Sequence, residues 1–232
     1  MMKKILLFVI ILLILSTLVY KQVDYISNKK AEEEIRQAMA DYYDAKVKAF
    51  KEENKSILPG EIEVAFIGDS LTDGCDLKTY YPEFYCVNRG IGGDTTFGLE
   101  KRLQVSLYDI QPKVVVMLIG ANNMNEMFEN YEDILVSMKE NLPNTKIILV
   151  SLTSMGGTWG RNNQLAAYNN VKIKALAEKY GYSFVDVYTP LLNMEINEIH
   201  PEYTSDGGHL THEGYLVLSA QIKPVIKELL SE

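Results

Sequence analysis

The stretch IEVAFIGDSLTDG, residues 62–74, decides the fold of this 232-residue chain. Its first six residues are apolar except for one glutamate, as expected for a strand that is buried on both faces of a parallel sheet. The strand ends in the heptapeptide GDSLTDG, which puts Ser70 where the chain turns. Ligands of open α/β sheets bind outside the carboxyl ends of the strands. We therefore predict that Ser70 faces a functional cleft.

Apolar runs alternate with helical patterns throughout the rest of the chain. The predicted strands are 62–67, 85–87, 114–119, 147–150 and 184–187. The predicted helices are 96–106, 131–141, 163–180 and 211–230. Repeated strand–helix units predict an α/β fold in which five parallel strands have helices on both faces.

Composition limits the classes of partner. Apolar residues make up 47% of the chain and charged residues 23%, and the net charge is −8. No basic run follows residue 60. Because nucleic-acid-binding proteins usually carry a basic patch or stripe, we expect no nucleic-acid partner.

The first 21 residues differ from the rest. Lys3 and Lys4 precede the uncharged stretch 5–20, which Lys21 closes. This length falls between a signal-peptide core of ~7–15 residues and a membrane span of ~17–25. No small-residue cleavage site and no cysteine follow, so 1–21 is interpreted as an uncleaved transmembrane anchor, with a cleaved signal or a buried core helix as alternatives. The lysines would stay in the cytoplasm, which puts the rest outside it.

Residues 22–59 are predicted to form a charged helical stalk or linker. Ile35, Met39 and Phe50, together with Tyr42 or Tyr43, recur at near-helical spacing. Two alternatives remain open for this region: a stalk that packs on the domain or on a second copy of the chain, and a solvated spacer. Pro59-Gly60 marks the boundary of a third region, 60–232, which is predicted to form the α/β domain.

Polar clusters follow the predicted strands or precede the last helix. They are 68–70, 88–96, 120–123 and 205–211. A dinucleotide site is disfavoured because Thr95 takes the place of the third glycine, and His209 and His212 lack the spacing of a zinc motif. No metal or other cofactor is expected.

Together the clusters contain the groups that acyl transfer needs. Ser70 can attack an acyl carbon, His209 can take the hydroxyl proton, and Asp206, three residues earlier, can orient the imidazole. The backbone N–H groups of Ser70 and Gly93 and the side-chain amide of Asn122 can converge on an oxyanion.

These motifs resemble the four blocks of the SGNH (GDSL) hydrolase superfamily. The motifs are GDSLTDG, the glycine of IGGDTT, Asn122 in GANN and the final DGGH, and the resemblance covers about 62–230. The stretches NRGIGGDTT and QPKVVVMLIGANN look like the branch that contains platelet-activating-factor acetylhydrolase catalytic subunits and bacterial esterases. Asn123 replaces an aspartate that is frequent in the third block.

The resemblance implies a three-layer flavodoxin-like sandwich, no metal, and serine-dependent hydrolysis of small acyl esters. Residue by residue, it makes Ser70 the nucleophile and the Asp206/His209 pair its base and orienting group. Gly93 and Asn122 become the oxyanion partners.

The substrate is less clearly encoded. Met155 and Trp159, in the loop after the fourth strand, and Tyr80, near the serine, are candidate substrate-binding residues. Cys75 and Cys86 could form a disulfide in an oxidising compartment, and two separate thiols are the alternative.

Three functions remain open at this point. The first is a membrane-anchored extracytoplasmic, or secreted, esterase that removes acetyl or another short acyl group, with carbohydrate as a candidate substrate. The second is a lysophospholipase or acyl thioesterase that acts on lipid at the membrane. The third is a surface module that binds a ligand without catalysis.

Overall fold

The computed structural model describes residues 2–231, without the side chains of residues 2–19, Val23 and Arg161. The chain divides by its internal contacts into two compact units, residues 1–44 and 45–232. Helix α1 (Met2–Glu53) contains all the described residues of the first unit and extends into the second. The predicted stalk, 22–59, therefore ends in residues whose contacts belong to the second unit.

Within the described part of the chain, no helix combines the length and apolar character needed to cross a bilayer. In the apolar stretch 5–20, the structure describes the side chain of Tyr20 but not those of residues 5–19. The predicted transmembrane anchor thus stays a prediction.

The second unit is built on a sheet of five parallel strands in the order β2-β1-β3-β4-β5. The strands are β1 (Val64–Gly68), β2 (Cys86–Gly90), β3 (Val114–Leu118), β4 (Lys146–Val150) and β5 (Ser183–Val185). This is the flavodoxin-like strand order. The prediction of an α/β fold with a five-stranded parallel sheet is confirmed.

Helices connect the strands and flank the sheet. They are α2 (Ser70–Asp73), α3 (Leu77–Tyr80), α4 (Thr96–Lys101), α5 (Tyr131–Asn141), α6 (Asn163–Tyr180), α7 (Tyr188–Leu191) and α8 (His212–Ser231). A short antiparallel pair, β6 (Leu192–Asn193) and β7 (Glu198–Ile199), precedes the last loop. Short 3₁₀ or π turns also occur, among them Gln104–Tyr108, Ala121–Asn123 and Gly157–Asn162.

Two apolar clusters lie on opposite faces of the sheet because neighbouring residues of a strand point in opposite directions. In β1, Ala65 and Ile67 belong to one cluster, and Val64 and Phe66 to the other. The first cluster includes side chains of α4, α5 and α6, and the second includes side chains of α2, α3 and α8. Five-residue strands such as β1 and β3 are buried throughout, which explains their non-alternating sequences.

The helix predicted over 96–106 ends early. α4 stops at Lys101 and is followed by the π turn Gln104–Tyr108. The helix is interrupted at Arg102, whose buried guanidinium donates a hydrogen bond to the Asp94 carboxylate. The spacing of apolar residues does not show which charged side chain of a helix points into the protein interior.

Candidate active site

The GDS turn has a local structure that presents Ser70 at the end of the sheet. A Cβ on Gly68 would lie 2.0 Å from the carbonyl oxygen of Leu118 on the neighbouring strand, so only glycine fits there. Asp69 caps α2, since its Oδ1 accepts a hydrogen bond from the Leu71 N–H at 3.1 Å. Ser70 is the first residue of that helix. Its backbone N–H is therefore one of the N–H groups that an α-helix leaves without an internal acceptor.

His209 and Asp206 reach Ser70 from the loop before α8. The Nε2 of His209 lies 3.1 Å from the Ser70 Oγ, and its Nδ1 lies 2.7 Å from the Asp206 Oδ2. A carboxylate only accepts, so Nδ1 carries the proton of the neutral ring and Nε2 accepts from the serine hydroxyl. The structure thus brings together the three residues that the sequence singled out.

Backbone hydrogen bonds hold the Asp206 carboxylate in place. Its Oδ1 accepts from the N–H groups of His209 (2.8 Å) and Gly208 (2.9 Å). These bonds, first that of the His209 N–H, lower the pKa of Asp206 to about 2. The carboxylate is therefore ionised at any pH at which His209 can act as a base. The side chains of both residues are 46% exposed, so the site is open to solvent.

A cavity of about 20 Å³ lies beside the serine. It is lined by Asp69, Ser70, Leu71, Ala121, Asn122, Thr153, Met155, Trp159, Gly208 and His209. Met155 is buried, and the Trp159 indole packs edge-on against the His209 imidazole with ring centroids 6.2 Å apart. Both predicted pocket residues from the loop after β4 therefore line the cavity.

Tyr80 was predicted to bind substrate but does not line this cavity in the described part of the chain. It is buried, its hydroxyl lies 2.9 Å from the Nδ1 of His212, and its ring stacks on Tyr215 at 5.2 Å. The prediction assumed that nearness to Ser70 in sequence means nearness in space. Helix α3 instead packs Tyr80 into the apolar layer against α8.

The oxyanion candidates lie on neighbouring loops. Asn122 is on the cavity wall, in the 3₁₀ turn after β3, and its Nδ2 donates to the Asp94 carbonyl at 2.9 Å. An amide nitrogen has two protons, so one remains for an oxyanion. Gly93, next to Asp94, has φ 78°, a left-handed conformation that favours glycine. Gly93 does not line the cavity among the described residues, although the Asn122 bond ties its loop to the wall.

A buried ion pair supports this loop. The Arg102 Nε donates to the Asp94 Oδ2 at 2.8 Å, and both side chains are almost fully buried. The same guanidinium donates to the carbonyls of Gly68 (3.0 Å) and Arg89 (2.7 Å), at the ends of β1 and β2. Arg102 therefore fixes the GDS turn and the glycine loop relative to each other. Sequence reasoning missed it, because nothing in the local pattern distinguishes it from a surface arginine.

Cys75 and Cys86 are free thiols here, and burial raises the pKa of each to about 12. The disulfide interpretation is thus not realised in this structure. Among the described residues, no group of three or more His, Cys, Asp or Glu side chains is arranged to hold a metal ion.

Serine hydrolases are characterised by a serine hydroxyl, an imidazole and a carboxylate joined in series. Here these three groups lie at the carboxyl end of a parallel sheet. Comparison with known proteins agrees with that class. The GDSL-like lipase/acylhydrolase family matches residues 66–217. The platelet-activating factor acetylhydrolase IB subunit alpha2 of Rattus norvegicus is 29% identical over 192 residues, which cover 74% of this chain and 79% of the relative.

Solved structures give the same result. A GDSL-like lipase from Bacteroides thetaiotaomicron superposes with a TM-score of 0.70 and 27% identity, over 78% of this chain and 97% of the other. An acetyl xylan esterase from Geobacillus stearothermophilus has a TM-score of 0.59 at 23% identity, over 73% and 96%, and at this identity the likeness concerns the fold alone. The chain belongs to the GDSL-like lipase/acylhydrolase family and is a serine hydrolase that acts on ester bonds.

Proposed function

We propose that this enzyme removes acetyl or other short acyl groups from esters, with Ser70, His209 and Asp206 as its catalytic triad. The observation that carries the proposal is the unbroken hydrogen-bond series from the Ser70 Oγ through His209 to Asp206. The Ser70 hydroxyl attacks the ester carbonyl carbon and passes its proton to the His209 Nε2. Collapse of the tetrahedral intermediate transfers that proton to the departing alcohol and leaves an acyl group on Ser70.

Water then completes the reaction. His209 takes a proton from the water molecule, whose oxygen attacks the acyl-serine, and returns the proton to Ser70 as the carboxylic acid leaves. The backbone N–H groups of Ser70 and Gly93 and the Asn122 amide serve as oxyanion donors in both steps. Each such donor contributes about 3–4 kcal/mol of barrier lowering.

The size of the cavity supports a short acyl group. A buried water needs roughly 10–15 Å³ of comparable volume, so a cavity of about 20 Å³ suits an acetyl group rather than a long chain. Leu71, Met155 and Trp159 provide apolar contacts to such a group. We expect rates to fall as the acyl chain lengthens, whereas a lysophospholipase or long-chain thioesterase would show the reverse.

The test is hydrolysis of p-nitrophenyl esters from C2 to C12 near neutral pH. We expect the acetate to be the fastest, and Ser70→Ala and His209→Ala to lower kcat by about three orders of magnitude or more. Ser231→Ala and His200→Ala, which lie outside the cavity, are the matched controls. Full turnover in Ser70→Ala would refute the triad, and a C12 ester that is faster than the acetate would refute the short-acyl assignment.

We also propose that residues 1–21 anchor the chain in a membrane, with the catalytic domain outside the cytoplasm. The support is the charge pattern, since Lys3 and Lys4 precede an uncharged stretch. The full chain should remain in the membrane fraction after alkaline carbonate extraction, and external protease should digest the domain in intact spheroplasts. Release of an N-terminally shortened enzyme into the medium would instead indicate a cleaved signal.

A further inference from the structure

A second, larger cavity adjoins the serine cavity. It measures about 230 Å³ and shares Ala121 and Asn122 with the smaller one. An ester bound with its acyl group in the small cavity has to place its alcohol part elsewhere. The shared wall makes the larger cavity the adjoining space for that part.

The larger cavity is lined mainly by amides. Asn122, Asn123, Asn125 and Asn162 contribute four carboxamides, and Glu126 contributes a carboxylate. A carboxamide both donates and accepts hydrogen bonds, which matches a hydroxyl group, whereas a carboxylate accepts only. The described lining contains no lysine, arginine or aromatic side chain that would hold a phosphate or a quaternary ammonium group. This chemistry suits an uncharged alcohol with several hydroxyl groups.

In the described part of the chain, not all of these amides have a structural role. Asn162 precedes α6 but its side chain makes no capping bond to the helix. Asn125 and Glu126, in the turn after β3, are exposed and line the cavity. Asn123 differs, because its Nδ2 donates to the Thr96 Oγ1 at 2.8 Å and its side chain therefore holds the fold.

The walls of the cavity are tied together before any ligand binds. The Glu126 N–H donates to the Asn123 carbonyl at 2.9 Å, which shapes the turn. From α6, the buried Asn169 donates through Nδ2 to the Met124 carbonyl at 2.9 Å. Preorganised walls reduce the conformational entropy that binding would otherwise cost.

We propose that this cavity, lined by Asn122, Asn125, Glu126 and Asn162, binds the alcohol part of the substrate and that this part is a carbohydrate. The inference rests on the esterase function proposed above and adds the class of the substrate. The enzyme is then a deacetylase of O-acetylated sugars, with Asn125 and Asn162 as residues that determine specificity.

The experiment compares three acetyl esters: an O-acetylated xylooligosaccharide, p-nitrophenyl acetate and an acetylated glycerophosphocholine. The variants are Asn125→Ala, Asn162→Ala and the double variant of the full chain. Each single substitution should raise KM for the oligosaccharide ester about tenfold with a much smaller change in kcat, because one lost hydrogen bond has about that effect on binding, and the double variant should raise it about a hundredfold. The ratio of kcat/KM for the sugar ester to that for p-nitrophenyl acetate should fall accordingly.

Gln164→Ala is the matched control, since it removes an exposed amide two residues from Asn162 that does not line the cavity. This control should leave kcat/KM unchanged for both the oligosaccharide ester and p-nitrophenyl acetate. Equal losses on the sugar ester and p-nitrophenyl acetate would overturn the proposal, as would a wild-type preference for the glycerophosphocholine ester. Failure of the esterase proposal itself is distinguishable, because p-nitrophenyl acetate turnover would then survive Ser70→Ala.

A second measurement needs no variant. The unacetylated xylooligosaccharide should inhibit p-nitrophenyl acetate hydrolysis by the wild-type enzyme, since it occupies the alcohol cavity next to the serine. The inhibition constant should rise about tenfold in Asn162→Ala. An oligosaccharide that does not inhibit the wild type at concentrations well above KM for its ester would overturn the assignment.

Discussion

Among single residues, Asp69 is the most unusual ionisable group near the site. It is 1% exposed, and its Oδ1 caps α2 by accepting a hydrogen bond from the Leu71 N–H. Burial is the main cause that raises its pKa to about 7; the nearby Asp94 carboxylate contributes to this rise, and the hydrogen bond from the Leu71 N–H opposes it. The carboxyl group next to Ser70 is therefore partly protonated at neutral pH.

This shift predicts a pH-dependent stability. An unfolded aspartate titrates near pH 4, so between about pH 4 and 7 the folded protein holds a proton that the unfolded chain has lost. Stability from this residue is thus present at low pH and is lost as pH rises through 7, by on the order of 2–4 kcal/mol. Urea denaturation from pH 4 to 8 should show this decline in the wild type and a flatter profile in Asp69→Asn. Parallel profiles would contradict the assigned pKa.

The pKa of Asp206 is shifted in the opposite direction, downward, and this shift leads to a prediction about catalysis. Because its pKa is about 2, it stays ionised across any practical assay range. Asp206→Asn should lower kcat on p-nitrophenyl acetate by about 10²–10⁴-fold, since an amide can favour the wrong imidazole tautomer. The measurement is kcat of the wild type and of Asp206→Asn on p-nitrophenyl acetate at pH 8. Equal kcat values would show that the Asp206 carboxylate does not orient His209.

Two loops meet at the site, one after β4 and the other before α8. The Gly156 N–H donates to the Gly207 carbonyl at 2.8 Å, and a Cβ on Gly207 would lie 1.9 Å from the Gly156 carbonyl oxygen. A Cβ on Gly208 would lie 2.8 Å from the indole nitrogen of Trp159. This contact between loops sets the position of Trp159 relative to His209.

Gly207→Ala should therefore impair both stability and catalysis. Gly207 has φ 91° and Gly181, at the end of α6, has φ 71°, so both substitutions incur the cost of a left-handed alanine. Nothing lies within 4 Å of a Cβ on Gly181. Gly181→Ala should cost about 1 kcal/mol with kcat unchanged, whereas Gly207→Ala should cost about 2–4 kcal/mol and lower kcat at least tenfold. Equal kcat values in the two variants would show that the loop contact does not position His209.

On the scale of the whole molecule, the end of α1 belongs to the core of the second unit. Phe50 is 4% exposed and lies under the guanidinium of Arg89, 4.9 Å from the ring centroid. Arg89 is fully buried, forms an ion pair with Glu53 and donates to the Asn54 Oδ1 at 2.9 Å. Without these partners its charge would be buried and unpaired.

Two truncations test this dependence. A chain that begins at Ala45 keeps all these contacts and should unfold at about the same urea concentration as the full chain. A chain that begins at Gly60 lacks Phe50, Glu53 and Asn54. Its free energy of unfolding should be lower by about 3–5 kcal/mol, because the charge of Arg89 is then buried without a partner and apolar surface is exposed. Equal stability of the two shortened chains would show that the end of α1 is dispensable.

The sequence predicts the sheet well because five apolar runs bounded by turns permit few other arrangements. It also singles out Ser70, Asp206 and His209, because their motifs are local. It does not reveal partners that lie far apart along the chain. Arg89 lies near the end of β2, in the polar cluster 88–96, yet it is a buried contact of α1. Tyr80 packs against α8 instead of facing the serine. Which charged or aromatic side chain turns inward depends on tertiary packing, which periodicity does not encode.

The hydrogen bond between Ser70 and His209 joins residues that are 139 positions apart. During synthesis Ser70 therefore leaves the ribosome long before His209. At about 5–20 residues per second, the delay is roughly 7–28 s. If Ser70 and His209 act together as proposed, a nascent chain is inactive until His209 has been translated, and no fragment that ends before His209 can hydrolyse esters by this route. Turnover consequently reports that the GDS turn and the loop before α8 have both been translated and have folded together.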